Sequence, residues 1–331
     1  MESPKLGNYM PNLMGNFKWS KINRHMPDIL VVGSLNADLV VRAPRFPQPG
    51  ETISGGDLQI IPGGKGANQA VAAARQGTSV SMLGRVGNDS FGPELINNLK
   101  QNHVDTSHVQ IDSQSATGTA IIVVDPNGQN SIVLSPGGNG QVSDADVASV
   151  SFSDYKLLLL QLEIPIETVT SAAQRAKESG LRVLLNPAPA RSLSNELISL
   201  SNFILPNETE LSLLTNQSVH DISSAEKAAK TLLERGAQNV IVTLGANGAL
   251  IVSSQQVTHV NTYKVEVVDT TAAGDAFIGG FASALLQNKS LEEAVSYGCA
   301  CGALATTKFG AQPSLPTREE VEHFVGAQQN K

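Results

Sequence analysis

Apolar residues fall mostly in short unbroken runs, each followed by small or polar residues. Asp28-Ile29-Leu30-Val31-Val32-Gly33 begins the series. Lys156-Leu157-Leu158-Leu159-Leu160-Gln161-Leu162, Leu181–Leu185, Phe203-Ile204-Leu205 and Val240-Ile241-Val242 continue it. Runs this short, with no alternation, predict strands buried on both faces, as in a parallel sheet covered by helices. Helical spacing appears elsewhere. After Gly274-Asp275, the residues Phe277, Phe281 and Leu285 recur every four positions and give one apolar face. Alternating strands and helices predict one α/β domain, a doubly wound and mostly parallel sheet flanked by helices.

Two stretches break this alternation. Leu39-Val40-Val41, Glu51-Thr52-Ile53 and Leu58-Gln59-Ile60-Ile61 are short strand candidates interrupted by Pro and Gly. Gly118–Val124 and Ser131–Leu134 flank Asp125-Pro126-Asn127-Gly128, and Asn-Gly is a strong hairpin signal. With no helix between them, these strands predict an antiparallel flap outside the main sheet. The expected element is a small β-sheet lid from about 38–62 and 117–135. An exposed lid edge or face needs a cover, which predicts a homodimer through the lid.

The chain has 331 residues, 41% hydrophobic but only 4% aromatic, so the core should be aliphatic. Net charge is −7 and no basic stripe is visible, which argues against nucleic acid as the main partner. No apolar run is long enough to span a membrane. Cys299 and Cys301 stand one residue apart in a helical pattern and point in different directions. They suit neither a disulfide nor a metal pair, and a reducing cytoplasmic location fits. Residues 1–27 lack the apolar segment of a secretory signal and the Arg-rich periodicity of a transit peptide. They read as a disordered extension before a domain over 28–331, with Met26 as a candidate natural start.

Candidate chemistry concentrates in Val268-Asp269-Thr270-Thr271-Ala272-Ala273-Gly274-Asp275-Ala276-Phe277. The first amides of a helix have no intrahelical partner and carry partial positive charge. Beside the Asp275 carboxylate they suit phosphoryl transfer, with amides for the phosphate and a base for the attacking hydroxyl. The same residues also make an ordinary helix start. Asn36 and Asp38, two apart beyond the first strand, either grip hydroxyls on one face or serve as turn residues. Gly63-Gly64-Lys65-Gly66-Ala67-Asn68-Gln69 is a glycine-rich loop before an Ala-rich helix, fit for a ligand or a hinge. It is neither a Walker A loop nor a dinucleotide fingerprint. Glu163 ends its strand as a ligand or a local pairing partner. Asn207 and Glu210 form a capping-box pair that could also lie near phosphate. Thr243, Gly245 and Gly248 lie in a strand–turn–strand unit that could wrap a nucleotide.

Together GGKGANQAVAAARQG, NPAPAR, PNETE, VTLGANGA and DTTAAGDAFIGGF resemble the ribokinase-like (PfkB) carbohydrate kinase family over about residues 28–325. The resemblance implies an ATP-dependent kinase that phosphorylates D-ribose at O5. Asp275 would be the base, and the amides of Ala272, Ala273 and Gly274 the anion hole. Asn36, Asp38, Gly64, Lys65, Asn68 and Glu163 would surround the sugar. Asn207 and Glu210 would lie near phosphate and Mg2+, with Thr243, Gly245, Gly248 and Cys299 along ATP. It also implies K+ activation at Asp269, Thr271, Ala305, Lys308, Gly310 and Ser314, several through carbonyls. Ala272 replaces a common Gly, which should matter little if only its amide acts. Cys299 replaces a larger polar residue at the adenine edge, and Lys308 a frequent Arg. Rival readings are a kinase for deoxyribose, fructose or a nucleoside, and a sugar-binding regulator without catalysis.

Overall fold

The computed structural model describes residues 28–329. The extension expected over 1–27 lies outside the described residues.

The chain enters through β1 (Ile29–Val32), all four residues fully buried. It leaves the body for β2 (Asn36–Arg42) and β3 (Gln59–Gly63), then returns through α1 (Lys65–Arg75). After β4 (Val80–Gly87), α2 (Phe91–Gln101) and β5 (Val104–Asp112), a second excursion forms β6 (Gly118–Val124) and β7 (Asn130–Ser135). The body resumes with α3 (Asp144–Ala148), β8 (Leu157–Leu160), α4 (Ile166–Glu178), β9 (Arg182–Leu185) and α5 (Asn195–Leu200). Then come β10 (Phe203–Ile204), α6 (Glu208–Thr215), α7 (Ile222–Glu234), β11 (Asn239–Thr243), β12 (Ala249–Ser253) and β13 (Val257–Val260). Three helices close the described chain: α8 (Ala273–Leu286), α9 (Leu291–Ala305) and α10 (Arg318–Gln329).

The main sheet runs β13-β12-β11-β10-β9-β8-β1-β4-β5. From β11 to β5 every pairing is parallel. At the other edge β12 and β13 are antiparallel, because the short Gly245–Gly248 turn sends the chain straight back. Successive strand residues point to opposite faces. Ile29 and Val31 therefore join the core on the side of α1, α8 and α9, while Leu30 and Val32 join the core on the side of α4 and α7. The ring of Phe281 is fully buried, stacks on Phe277 at 6.2 Å between centroids and meets Phe203 edge-on at 5.6 Å. These contacts fix α8 on the sheet, and with it the direction in which Asp275 points.

The small sheet has the order β3-β2-β6-β7. It is mixed rather than antiparallel as expected: β2 pairs β6 in parallel, and the outer pairs are antiparallel. Both outgoing strands, β2 and β6, leave from the carboxyl ends of body strands, so they run the same way. The Glu51–Ile53 candidate forms no strand. Pro47 and Pro49 remove donors there, and Glu51 is bound by the Arg45 guanidinium and the Gln48 amide instead. No helix among the described residues is long and apolar enough to cross a membrane.

Candidate active site

Open parallel sheets collect ligands beyond the carboxyl ends of their strands. Here Glu163, Asn186, Asn207 and Gly245 follow the ends of β8, β9, β10 and β11. A cleft of about 1200 Å³ runs past the last three and past the N-terminus of α8. Asn207, Glu210, Thr243, Gly245, Gly248 and Cys299, the nucleotide candidates, all line it. So do Lys65 and the segment 272–275.

Asp275, 7% exposed, sits in the first turn of α8. Its Oδ2 accepts a hydrogen bond from Asn68 Nδ2 at 2.9 Å, and its Oδ1 one from Gln69 Nε2 at 3.0 Å. Two buried amides from α1 thus hold both oxygens. Asn68 Oδ1 has no partner among the described residues.

The sugar candidates gather where the small sheet leaves the body. Asn36 and Asp38 share one face of β2, as their spacing predicts. Asn36 Oδ1 accepts from Asn139 Nδ2 at 2.7 Å. Asn139 also brackets the Leu35 backbone, donating to its carbonyl at 3.0 Å and accepting from its amide at 2.9 Å. The side-chain Nδ2 of Asn36 has no partner among the described residues and can donate. Glu163 Oε2 accepts from Ser34 Oγ at 2.5 Å and from the Lys65 amide at 2.9 Å. One Glu163 oxygen therefore anchors the start of α1, a local pairing role. Gly64, just before α1, has φ 88°, a left-handed backbone that favours glycine.

Four carboxylates surround one ammonium. Burial pushes Asp38 up to about 7, helped by the Glu163 and Asp275 charges and opposed by Lys65. Burial would pull Lys65 down, but Asp275, Glu163, Glu210 and Asp38 together hold it above its ordinary value. Burial also raises Glu210, against its hydrogen bond from Asn207 and the Lys65 charge. Lys65 thus stays cationic between the sugar candidates and the cleft.

At the start of α8 the Ala273 amide donates to the Thr270 carbonyl at 3.2 Å. The Ala272 and Gly274 amides have no partner among the described residues. Of the three expected anion-hole donors, two are therefore uncommitted. Ala272 adopts φ 59°, ψ 11°. That left-handed conformation costs a methyl-bearing residue about 1–2 kcal/mol, so Ala in place of Gly leaves its amide intact but strains the backbone.

Asn207 and Glu210 form the expected capping box, with Asn207 Oδ1 accepting from the Glu210 amide and Glu210 Oε2 from the Asn207 amide. Glu210 Oε1 has no hydrogen-bond partner among the described residues. Burial pushes the Cys299 thiol up to about 12, so it lines the cleft as an apolar group. In the cation loop, Asp269 accepts from Thr271 through Oδ1 and from the Gly310 amide through Oδ2. The Val268 and Asp269 amides meet the Thr306 carbonyl, next to Ala305. Lys308 turns its Nζ to Glu320, and the Ser314 hydroxyl donates to the Ala311 carbonyl. The hydrogen bonds join Asp269, Thr271 and Gly310, and the Lys308 amide donates to the Ala305 carbonyl at 3.3 Å, while the Lys308 ammonium and the Ser314 hydroxyl turn elsewhere.

Residues 26–318 match the pfkB family carbohydrate kinase description. The chain belongs to this family. The kinase is 46% identical over 301 residues to a ribokinase of Haemophilus influenzae, covering 90% of this chain and 98% of that one. It is 40% identical over 301 residues to a deoxyribokinase of Salmonella typhi, with the same coverages. An Arabidopsis thaliana ribokinase structure with ribose and ATP superposes with a TM-score of 0.83 at 33% identity, covering 90% of the kinase and 98% of that chain.

An ATP-dependent kinase works with Mg2+ bound to ATP. The donor set fits, because Glu210 offers one uncommitted carboxylate oxygen in the cleft and Mg2+ ordinarily keeps several waters. Sequence reading missed Gln69, Gln161, Asn186 and Asn139 as site residues. Gln69 stood inside the glycine-rich motif but carried no charge. The bond from Asn139 to Asn36 spans 103 positions, and no local pattern announces it.

Proposed function

We propose that this kinase transfers the γ-phosphoryl group of ATP to O5 of D-ribose, giving D-ribose 5-phosphate and ADP. The observation that carries this reading is a carboxylate, Asp275, held by two amides at the mouth of a helix with uncommitted N–H donors. Asp275 takes the proton as the sugar oxygen bonds to the γ-phosphorus, and the bond from phosphorus to the ADP oxygen breaks. The Ala272 and Gly274 amides, with Lys65, face the charge that develops on the transferring group. Mg2+, bound with ATP, neutralises phosphate charge. Asn36 and Asp38 read sugar hydroxyls, aided by Gly64, Asn68 and Glu163 at the same end. Thr243, Gly245, Gly248 and Cys299 flank the nucleotide. ADP release measured with ribose, 2-deoxyribose, fructose and adenosine tests the reading. Release with none of them leaves the regulator reading.

Substrate choice gives a sharper test. A site built to donate to a hydroxyl penalises a sugar that lacks it, because its own donor is left unpaired. Wild type should prefer ribose to 2-deoxyribose. Asn36→Met should lower kcat/KM for ribose at least about tenfold, some 1.4 kcal/mol, and for deoxyribose less. An unchanged ratio in folded protein would return Asn36 to a purely structural role.

K+ activation is proposed at the loop holding Asp269, Thr271 and Gly310, with Ala305, Lys308 and Ser314 contributing carbonyls. The Asp269 carboxylate lies below its ordinary value despite partial burial, through bonds from Thr271 and Gly310 and the Arg42 charge. A bound cation would order the segment that presents the α8 amides. Activity in Tris buffer free of alkali cations should be low and should recover with added K+. A flat K+ titration would remove this site.

The small sheet is proposed to be both lid and dimer surface. Leu39, Ile60, Ile121 and Val133 form one row across its four strands, by register. Ile60, Ile121 and Val133 are 52%, 51% and 64% exposed. Asn36 and Asp38 lie on the opposite face. A second copy covering this row would make a homodimer. Light scattering at micromolar concentration should report twice the monomer mass, and Ile121→Lys should halve it. A fully active wild-type monomer would overturn the assignment. Kinase activity in a domain over 28–331 and a cytoplasmic location, which suits two buried free thiols, complete the reading.

A further inference from the structure

Behind Asp275 the buried amides form one directed chain. Gln69 and Gln161 have no exposed surface, and Asn186 is 7% exposed. An ionised carboxylate only accepts hydrogen bonds, so Gln69 must turn Nε2 toward Asp275 Oδ1. The same nitrogen gives its second hydrogen to Asn186 Oδ1 at 3.1 Å. Gln69 Oε1 is thereby turned back and accepts from Gln161 Nε2 at 2.6 Å. That bond directs Gln161 Oε1 the other way, against the Gly33 backbone, where it has no partner among the described residues. Reversing the Gln161 amide would set oxygen against oxygen, and reversing Gln69 would set one against Asp275. Buried polar atoms are ordinarily paired. An orphan acceptor at the far end of this chain is therefore explained by the demand for donors at Asp275. Asn186 Nδ2 donates to the Leu205 carbonyl at 3.0 Å, tying the chain to the strand ends.

We propose that Gln69, backed by Gln161 and Asn186, is a positioning residue for phosphoryl transfer. It locks the plane of the Asp275 carboxylate from the buried side and presents it with a donor there. The inference rests on Asp275 being the base. Other charged groups that act on Asp275 are Lys65 from α1, Asp38 from β2 and Glu210 from α6.

Three variants test it in the full-length chain. Gln69→Met keeps the shape and removes the donor; kcat should fall about tenfold or more while the KM for ribose stays within about threefold. Gln69→Glu sets a second carboxyl against Asp275, and such pairs share a proton. The acid limb of its kcat/KM profile should move up by about one pH unit or more, with part of the loss recovered at higher pH. A merely structural role would lower the profile without moving it. Gln161→Met should weaken kcat in the same direction, by less. If Gln69→Glu fails to fold, the kcat-against-KM split in the two Met variants decides. Folded Gln69→Met with wild-type kcat, or an unmoved acid limb in folded Gln69→Glu, overturns the proposal. Asp275→Asn, measured beside them, separates the two readings. If it turns over normally, the base assignment itself fails. If it is inactive while the Gln69 variants behave as wild type, this inference fails alone.

Discussion

Asp275→Asn should lower kcat by roughly a hundred- to ten-thousand-fold, the usual worth of a general base. The substitution keeps volume and removes only the proton acceptor. It should also leave the fold intact. An Asn at 275 brings an NH2 group that must face an acceptor, and Asn68 Oδ1 is currently unpaired. A flip of the Asn68 amide presents that oxygen, so the buried site can be repaired without backbone movement. Ribose binding by calorimetry should persist, because the sugar candidates Asn36, Asp38 and Glu163 are untouched and Asn68 keeps its place with only its amide turned over. The loss should therefore appear in kcat far more than in KM. Turnover within about tenfold of wild type would remove Asp275 from the proton transfer.

The parts of this molecule readable in advance are those whose signal is local. The unbroken run at Ile29–Val32 announces a strand buried on both faces because no position in it tolerates water. The residues past the strand ends were visible from the same runs: Glu163, Asn207 and Gly245 each stand within three residues of the end of a strand. Contacts between distant segments were not visible. The parallel pairing of β2 with β6 joins Asn36 to Gly118, and nothing in either segment specifies parallel over antiparallel. The network behind Asp275 joins positions 206 apart through uncharged amides, residue types that compose ordinary surfaces as readily as sites. Glu51–Ile53 misled by composition: its β-favouring residues were overruled by prolines and by the Arg45 ion pair. At Ala272 the residue type was visible, but its left-handed backbone was not.

Two glycines that look alike in sequence should respond in opposite ways to a single methyl. Gly64 has φ 88°, and an added Cβ would stand 2.7 Å from the Asn36 amide nitrogen, 2.9 Å from the Ser34 carbonyl oxygen and 3.0 Å from the Leu35 Cα. All three are backbone atoms that cannot swing aside. Left-handed strain of about 1–2 kcal/mol adds to overpacking of about 1–3 kcal/mol. Gly64→Ala should therefore lower unfolding free energy by about 2–5 kcal/mol, seen as a lower denaturant midpoint. Activity should fall with it, because the atoms displaced carry Asn36. Gly274 has no positive φ, and an added Cβ meets nothing within 4 Å. It lies in the first turn of α8, where Ala is a better helix former than Gly by up to about 1 kcal/mol. Gly274→Ala should be as stable as wild type or slightly more so. Yet Gly274 lines the cleft, and its methyl would enter the space beside the uncommitted amide, where the proposed reaction puts the transferring phosphoryl group. Losing one such donor commonly costs a hundredfold or more in kcat, so partial obstruction should cost on the order of ten- to a hundredfold. Stability and activity thus fall together at position 64 and separate at 274. Full activity in Gly274→Ala would move the anion site away from the start of α8. Wild-type stability in Gly64→Ala would mean that the loop before α1 can yield, as a hinge does.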